Sequence, residues 1–194
     1  LMGPTASGKT ELAIEISKRI NSKLISVDSA LIYRGMDIGT AKPSKEILKS
    51  HPHELVDICE PDDSFSVTEF ISLAKEHIKS ALAEGKLPIL VGGTSFYFNA
   101  LEHGLSELPA STDESRKHFN DLLRSEGSEK LHSKLVEIDP QSAARIHSND
   151  SQRVTRALEV FHLSGEALSK LQGKKNQNKL DLNIKKIVLM PDRA

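Results

Sequence analysis

The 194-residue sequence contains no tryptophan, a single cysteine and only eight aromatic residues. The lone cysteine, Cys59, cannot form an internal disulfide, and the chain does not open with a basic segment followed by an apolar one. These features predict a reducing, cytoplasmic compartment. Because aromatic side chains are so few, platforms that stack the bases of single-stranded nucleic acid are scarce.

Long apolar runs are also missing. A transmembrane helix needs about 18 consecutive apolar residues, and here a polar residue or a glycine interrupts each run after a handful. No membrane span is expected. Hydrophobic residues make up 38% of the chain and charged residues 27%, which suits a globular protein. At roughly 150 residues per domain, the length predicts one substantial domain with a small appended one, and we expect a monomer.

The net charge of −1 conceals an asymmetry. Residues 145–194 carry 10 basic and 5 acidic side chains, whereas residues 1–144 carry 16 and 22. A polyanion would therefore dock on the second part of the chain. The plain alternative is that these cations lie on solvated helix and loop faces.

The first half of the chain alternates between strand and helix patterns. Apolar spacing after Gly8 predicts a helix that ends near Asn21, and residues 24–27 predict a buried strand that delivers Asp28 at its carboxyl end. The further predicted elements are a long loop over 31–43, a weak strand over 54–58, a turn over 61–64, a helix from a capping box at Ser66 and Glu69 to Gly85, a strand over 87–91 and a helix over 95–102. Together with the phosphate-binding motif at Gly3, Gly8, Lys9 and Thr10, this order predicts an α/β fold of the P-loop NTPase kind, a parallel sheet with helices on both faces.

From residue 108 the pattern is helical. A capping-box candidate spans Ser111 to Glu114, and helices are predicted over 114–125, 128–137, 141–146 and 151–164. We interpret residues 1–107 as a core whose first strand is truncated, and residues 108–168 as a helical insert or lid. Residues 169–194 then hold a polar excursion over 172–181 and a strand over 184–190 that returns to the core. We expect both ends of the chain to lie within a longer protein, whose carboxyl-terminal part is absent here.

The strongest motif is a phosphate-binding loop, matched in every fixed position by Gly3, Gly8, Lys9 and Thr10. In such loops, backbone N–H groups surround a phosphate at the positive end of the following helix. Lys9 adds a full charge, and the Thr10 hydroxyl is placed to bind Mg²⁺. The motif indicates a phosphate or a diphosphate ligand without specifying ATP.

Two further segments follow predicted strands, and ligands of parallel α/β folds bind at the carboxyl ends of strands. Asp28 is placed to ligate a metal or to act as a base, or else to make a local cap or loop hydrogen bond. Gly92, Gly93 and Thr94 form a tight turn whose threonine is expected to cap the helix from Ser95.

Other common sites are not supported. His51, His53 and Cys59 lack the spacing of a zinc site and are interpreted as surface and core residues. The sequence contains neither a Gly-x-Ser-x-Gly motif nor a credible Cys/His nucleophile arrangement.

Several motifs together resemble the tRNA dimethylallyltransferases, or IPP transferase family, in order and spacing. The resemblance extends from residue 1 to at least residue 165. It is carried by Gly3-Pro-Thr-Ala-Ser-Gly-Lys-Thr10, by residues 25–33 and 34–43, by Leu90-Val-Gly-Gly-Thr94 with Tyr97, and by residues 139–140, 144–146 and 149–159.

The resemblance implies transfer of a dimethylallyl group from dimethylallyl diphosphate to N6 of an adenine beside the tRNA anticodon, with release of diphosphate. It implies that the phosphate-binding loop holds the diphosphate of the prenyl donor, with Mg²⁺ on Thr10. The implied diphosphate-binding residues are Gly3, Pro4, Thr5, Ala6, Ser7, Gly8, Lys9 and Thr10.

By position, the resemblance makes Asp28 the general base and Thr94 its neighbour in contact with the adenine. The target adenine would leave its stack to reach this crevice. The implied tRNA-contacting residues are Asp28, Ser29, Ala30, Leu31, Thr94, Arg116, Gln152, Arg153, Val154, Thr155 and Arg156.

Two other functions remain open at this point. A P-loop small-molecule kinase would use Asp28 as a catalytic acid and arginines of the helical insert on its phosphates, and it predicts phosphoryl transfer from ATP. A non-enzymatic nucleic-acid-binding remnant predicts tRNA binding without turnover. The kinase interpretation leaves residues 28–33 and the Val91-Gly-Gly-Thr94 run unexplained.

Overall fold

The computed structural model describes residues 1–172, 180 and 182–191. The chain forms two compact units, Leu1–Gly104 with Asn178–Ala194, and Leu105–Gln177. Most of the polar excursion predicted over 172–181 lies outside the described residues. None of the described helices combines the length and apolar composition that crossing a bilayer requires.

The first unit is built on three parallel strands in the order β2-β1-β3. Ser26 lies opposite Val91 and Leu24 opposite His53 in the register. The elements are α1 (Lys9–Ser17), β1 (Ser22–Ser26), α2 (Lys45–Ser50), β2 (His53–Glu54), α3 (Val67–Ala83), β3 (Leu87–Val91) and α4 (Ser95–His103). The predicted α/β class is confirmed, and the carboxyl ends of β1 and β3 lie side by side.

Side chains of β1 alternate between two buried faces. Leu24 packs with Ala13 of α1 and with Val91 of β3. Ile25 and Val27 point to the opposite face and are fully buried. The long helix α3 lies against β1 and β3, and its capping box between Ser66 and Glu69 forms as predicted.

Several predicted boundaries were wrong. The strand expected over 54–58 ends at Glu54, because Leu55 and Asp57 adopt positive φ angles that cannot continue a strand. The first helix ends at Ser17 rather than near residue 21. Helix α2 was not predicted, although Ser44 caps it by accepting a hydrogen bond from the N–H of Ile47.

The returning strand expected over 184–190 is a single bridge. Met2 donates its N–H to the carbonyl of Ile187 at 2.8 Å and accepts a hydrogen bond from the N–H of Leu189 at 2.8 Å. Met2 also bridges to Gly92. The short segment before the phosphate-binding loop therefore lies between β3 and the 187–189 segment.

The described part of the second unit contains helices and no strand. Its elements are α5 (Asp113–Glu126), α6 (Ser128–Ile138), α7 (Pro140–Ala143), α8 (Ser151–Ser164) and α9 (Leu168–Gln172). Its core includes Phe119, Leu131, Leu135, Val154 and Leu158. The four predicted helices are confirmed; α8 has the predicted ends, and the ends of α5, α6 and α7 differ from the predicted ones by up to three residues. The predicted capping box was wrong by one residue, because Thr112 and Ser115 form it while the hydroxyl of Ser111 donates to Glu159.

Candidate active site at the carboxyl edge of the sheet

The phosphate-binding loop connects Met2 to α1. Ala6 and Gly8 have φ angles of 63° and 78°, and left-handed residues of this kind curve successive N–H groups around an anion. The start of the loop is tight, since a Cβ on Gly3 would lie 2.6 Å from the hydroxyl of Ser7 and 2.7 Å from the carbonyl of Leu189. The motif therefore forms a compact cradle at the amino terminus of α1.

Lys9 reaches back across this loop, where its ammonium donates a 2.8 Å hydrogen bond to the carbonyl of Pro4. It also approaches the end of β3, because a Cβ on Gly93 would lie 3.8 Å from Lys9 Nζ and 3.9 Å from Asp28 Oδ2. A cation and a carboxylate thus border the same small space over Gly93.

The ends of β1 and β3 are in close contact. The N–H of Val27 donates a 2.8 Å hydrogen bond to the carbonyl oxygen of Val91. A Cβ added to Gly92 would collide with the carbonyl oxygen of Val27. No side chain fits there. Gly93 has no comparable clash, since the nearest atom to its Cβ position is the carbonyl oxygen of Gly3 at 3.4 Å.

The two carboxylate oxygens of Asp28 have different surroundings. Oδ1 accepts a 2.9 Å hydrogen bond from the N–H of Ala30, which orients the side chain as an Asx turn does. Oδ2 is the oxygen nearest to Gly93 and Lys9. Asp28 therefore makes a local hydrogen bond through Oδ1 and still places Oδ2 at the space over Gly93.

Thr94 does not cap α4 with its side chain. Although it occupies the N-cap position, its hydroxyl makes no capping hydrogen bond. Instead, Thr94 Oγ1 accepts a hydrogen bond from the N–H of Ser29 at 3.0 Å. The predicted capping role of this side chain was wrong, because its hydroxyl pairs instead with the backbone that follows β1.

A cavity of about 300 Å³ opens beside these groups. Its polar lining includes Lys9, Thr10, Ser26, Asp28 and His53. Its apolar lining comes from α1, from α2 and from the segments beside them, and includes Ile14, Leu31, Ala41, Pro43, Ile47, Val56 and Val91. One cavity thus combines an anion cradle with an apolar surface.

The long loop over residues 31–43 is held in place by Lys42. The side chain of Lys42 is only 2% exposed and donates hydrogen bonds to the carbonyl of Tyr33 at 2.7 Å, to Asp57 at 2.6 Å and to Asp37 at 3.1 Å. Burial opposes the charged form, but the hydrogen bonds to Asp57 and Asp37 outweigh it and raise the pKa of Lys42. Lys42 thereby anchors the Thr40–Ser44 wall of the cavity.

A comparison with known protein families shows to which family this chain belongs. The family model described as IPP transferase matches residues 31–194. This chain belongs to the IPP transferase family. The match covers most of the chain and includes Thr94 and the 152–156 segment.

Individual relatives agree with the family. A curated tRNA dimethylallyltransferase of Ruthia magnifica subsp. Calyptogena magnifica is 62% identical over all 194 residues, which span 63% of that relative's length. The solved full-length tRNA isopentenylpyrophosphate transferase of Bacillus halodurans is 46% identical, with a TM-score of 0.53 over 85% of this chain and 55% of that one. A eukaryotic dimethylallyltransferase solved acting on tRNA is 26% identical, with a TM-score of 0.69 over 92% of this chain and 46% of that one.

The cavity residues fit a hard, hydrated divalent cation. The described residues contain no group of three or more His, Cys, Asp and Glu that could enclose a metal. The cavity offers isolated oxygen atoms on Thr10, Ser26 and Asp28 instead, and the hydroxyl of Ser26 is buried without a hydrogen-bond partner. Mg²⁺ is commonly bound in this way, through one or two protein oxygens, water and substrate phosphates.

The predicted tRNA-contacting residues of the helical unit differ in exposure. Arg116 and Gln152 are exposed, and the Arg153 side chain is 75% exposed with one ion pair to Asp150 at 3.4 Å. By contrast, Val154 is fully buried in the core, so its side chain faces away from solvent.

Arg156 is engaged inside the helical unit. It donates to the hydroxyl of Ser111 at 2.6 Å, to the carbonyl of Pro109 at 2.7 Å and to Glu159 at 2.5 Å. Burial disfavours the ionised form of Glu159, but hydrogen bonds from Ser115, Arg156 and Ser111 keep its pKa below the ordinary value. The side chain of Arg156 is therefore a structural anchor.

Sequence reasoning missed Ser26, His53 and Lys42 as cavity residues. Ser26 and Lys42 lie within segments that carry the family resemblance, and Ser26 stands two residues before Asp28. In a strand, that spacing places both side chains on one face, and this signal was available in the sequence.

Proposed function

We propose that this protein transfers a dimethylallyl group from dimethylallyl diphosphate to N6 of an adenine beside the tRNA anticodon. The observation that carries the proposal is that Lys9 Nζ and Asp28 Oδ2 both lie within 4 Å of the Cβ position of Gly93, beside a phosphate cradle. Membership of the IPP transferase family and the name of the 62% identical relative support it.

The diphosphate of the donor would lie in the loop Gly3–Thr10. Loop N–H groups and the amino terminus of α1 favour an anion there. The Lys9 ammonium would give up its hydrogen bond to the carbonyl of Pro4 and donate to a diphosphate oxygen instead. These donors stabilise the negative charge that grows on the leaving group. Mg²⁺, held through Thr10, supplies further charge neutralisation when it is bound. The apolar side of the cavity then accommodates the five-carbon chain.

Asp28 is the proposed general base. The N6 lone pair forms a bond to the allylic carbon, the carbon–oxygen bond breaks with its electron pair on diphosphate, and a proton moves from N6 to Asp28 Oδ2. A carboxylate suffices as the base because the amine becomes acidic only as the new bond forms. The hydrogen bond from Ala30 to Oδ1 keeps Oδ2 directed at the space over Gly93.

The tRNA would contact both units. In the α/β unit, we propose that Thr94 and residues 28–31 contact the reactive adenine. In the helical unit, the exposed Arg116, Gln152 and Arg153 are available to phosphates. We further propose that the protein is a monomer and that it is cytoplasmic, a reducing compartment that suits its single free cysteine.

A labelling experiment tests the proposal against the kinase alternative. The full-length protein is incubated with unmodified tRNA, Mg²⁺ and either labelled dimethylallyl diphosphate or γ-labelled ATP, and the tRNA nucleosides are then analysed. Label from the prenyl donor on adenine N6 is the expected result. Phosphate transfer from ATP without a prenylated base would establish the kinase instead, and tRNA binding with neither reaction would leave a binding protein.

A further inference from the structure

Two buried polar atoms face the candidate active site without a partner. They are the hydroxyl of Ser26 and Nε2 of His53, and both residues line the cavity that holds Thr10 and Lys9. Ser26 is only 2% exposed. A buried polar group without a hydrogen bond costs about 1–3 kcal/mol, and at these two residues a partner that enters the cavity would remove that cost.

The strand register places both side chains on one face of the sheet. His53 lies opposite Leu24, and Ser26 follows Leu24 by two residues on β1. Opposite residues of paired strands, and residues two apart on one strand, point the same way. Leu24 packs with Ala13 of α1, so this is the face beneath the phosphate-binding loop.

The hydrogen bond of His53 shows what the partner must be. Nδ1 lies 2.8 Å from the carbonyl oxygen of His51, and because a carbonyl only accepts, Nδ1 carries the hydrogen. Nε2 of the neutral ring is then an acceptor. Burial lowers the pKa of His53 and favours that neutral form. The missing partner of His53 is therefore a hydrogen-bond donor, which an ionised diphosphate oxygen is not, and the Ser26 hydroxyl is able to accept from the same kind of donor.

We propose that Ser26 and His53 are positioning residues that accept hydrogen bonds from the water molecules of a hydrated Mg²⁺ bound with the diphosphate. This assignment rests on the proposed function. Metal-bound water is a strong donor, and Mg²⁺ retains several waters when it binds through phosphates and one or two protein oxygens. Outer partners of this kind orient the ligands of a metal and typically change its affinity 10- to 100-fold.

Ser22 supplies a matched control. It lies at the other end of β1, on the same face as Ser26, and its hydroxyl is also buried without a partner, but it does not line the cavity. Calorimetry with inorganic diphosphate, in excess Mg²⁺ and again in EDTA, compares Ser26→Ala with Ser22→Ala. Melting without ligand establishes that each variant is folded.

We expect Ser26→Ala to weaken diphosphate binding about tenfold in Mg²⁺ and less than about twofold in EDTA, with Ser22→Ala unchanged in both. For His53, asparagine places a polar atom near the Nδ1 position and glutamine places one near Nε2. His53→Asn should therefore lose the metal-dependent part of the affinity, and His53→Gln should retain most of it.

Equal losses with and without Mg²⁺, or equal effects of Ser26→Ala and Ser22→Ala, would overturn the assignment in favour of a structural role. Unchanged Mg²⁺ dependence in both Ser26→Ala and His53→Asn would also overturn it. A wild-type protein that binds no diphosphate under either condition contradicts the proposed function itself, so the two failures are distinguishable.

Discussion

Thr94 accepts a hydrogen bond from the backbone N–H of Ser29 at 3.0 Å, across 65 residues of sequence. Because Asp28 immediately precedes Ser29, this bond ties the turn after β3 to the backbone that carries the proposed base. The hydrogen bond therefore fixes the position of Asp28 relative to Thr94, and both are candidate site residues.

Removal of the Thr94 hydroxyl should slow the reaction and lower the free energy of unfolding by no more than about 1.5 kcal/mol. In Thr94→Ala the Ser29 N–H loses its acceptor, and we expect turnover at saturating substrates to fall about tenfold, as expected for the loss of about 1.4 kcal/mol. Thr94→Ser keeps the oxygen and should retain most of the rate. Single-turnover prenylation of tRNA measures the difference, and equal rates for the two variants would contradict this role.

Asp28→Asn separates the positioning role of the side chain from its role as a base. The asparagine oxygen can still accept from Ala30, but the side chain no longer takes a proton. We expect turnover to fall about 10²- to 10⁴-fold, while calorimetry shows diphosphate binding within a few-fold of wild type. Near-normal turnover with bound substrates would show that another group is the base.

Adjacent glycines at the end of β3 should respond differently to a methyl group. A Cβ on Gly92 collides with the carbonyl of Val27 at 2.0 Å, so we expect Gly92→Ala to be poorly folded. Gly93→Ala makes only ordinary contacts and should fold, but its methyl enters the space between Lys9 and Asp28. Melting curves show whether each variant folds, and KM for the prenyl donor shows whether the methyl group hinders binding. A normal KM in folded Gly93→Ala would contradict the proposed placement of the donor.

Two arginines on α8 should affect different properties. Arg153→Ala removes an exposed cation, and we expect weaker tRNA binding, a salt-dependence slope lower by about 1 and unchanged stability. Arg156→Ala leaves the nearly buried Glu159 without its cation and should destabilise the protein by about 2–4 kcal/mol. Filter binding at several salt concentrations and urea unfolding measure the two effects; the reverse pattern would make Arg156 the contact residue.

Asp139 should make stability depend on acid pH. Burial disfavours its charge, but the N–H groups of Ser142 and Ser169 donate to its two oxygens at 3.0 and 2.9 Å and hold its pKa at about 2. A carboxyl with a lower pKa when folded stabilises the protein above its unfolded pKa of about 3.9, and this contribution is lost as pH falls toward 2.

Urea unfolding across that window tests the assignment. Asp139→Asn should be about 2 kcal/mol less stable than wild type at pH 7, and the difference should shrink between pH 4 and pH 2. The exposed Asp121 provides a control, for which Asp121→Asn should change stability by less than about 0.5 kcal/mol. A difference for Asp139→Asn that does not vary with pH would contradict the role of its charge.

The sequence by itself determined the class of fold and the chemistry of the phosphate cradle. The spacing of Gly3, Gly8, Lys9 and Thr10 is a local pattern, and the alternation of strands and helices follows from apolar periodicity along the chain. The capping box at Ser66 formed as predicted because both of its partners lie within one helical turn.

Only the tertiary structure decided which distant residues meet. The register of β1 against β2 and β3 brings Ser26, His53 and Val91 to one cavity, and sequence distance does not encode that register. Local rules also failed where a side chain found a remote partner. The Thr94 hydroxyl bonds Ser29 rather than an N–H of its own helix, and the Ser111 hydroxyl bonds Glu159 rather than the start of α5. Similarly, Arg156 and Arg153 are indistinguishable as cations in sequence, and only packing around Glu159 turns one of them inward.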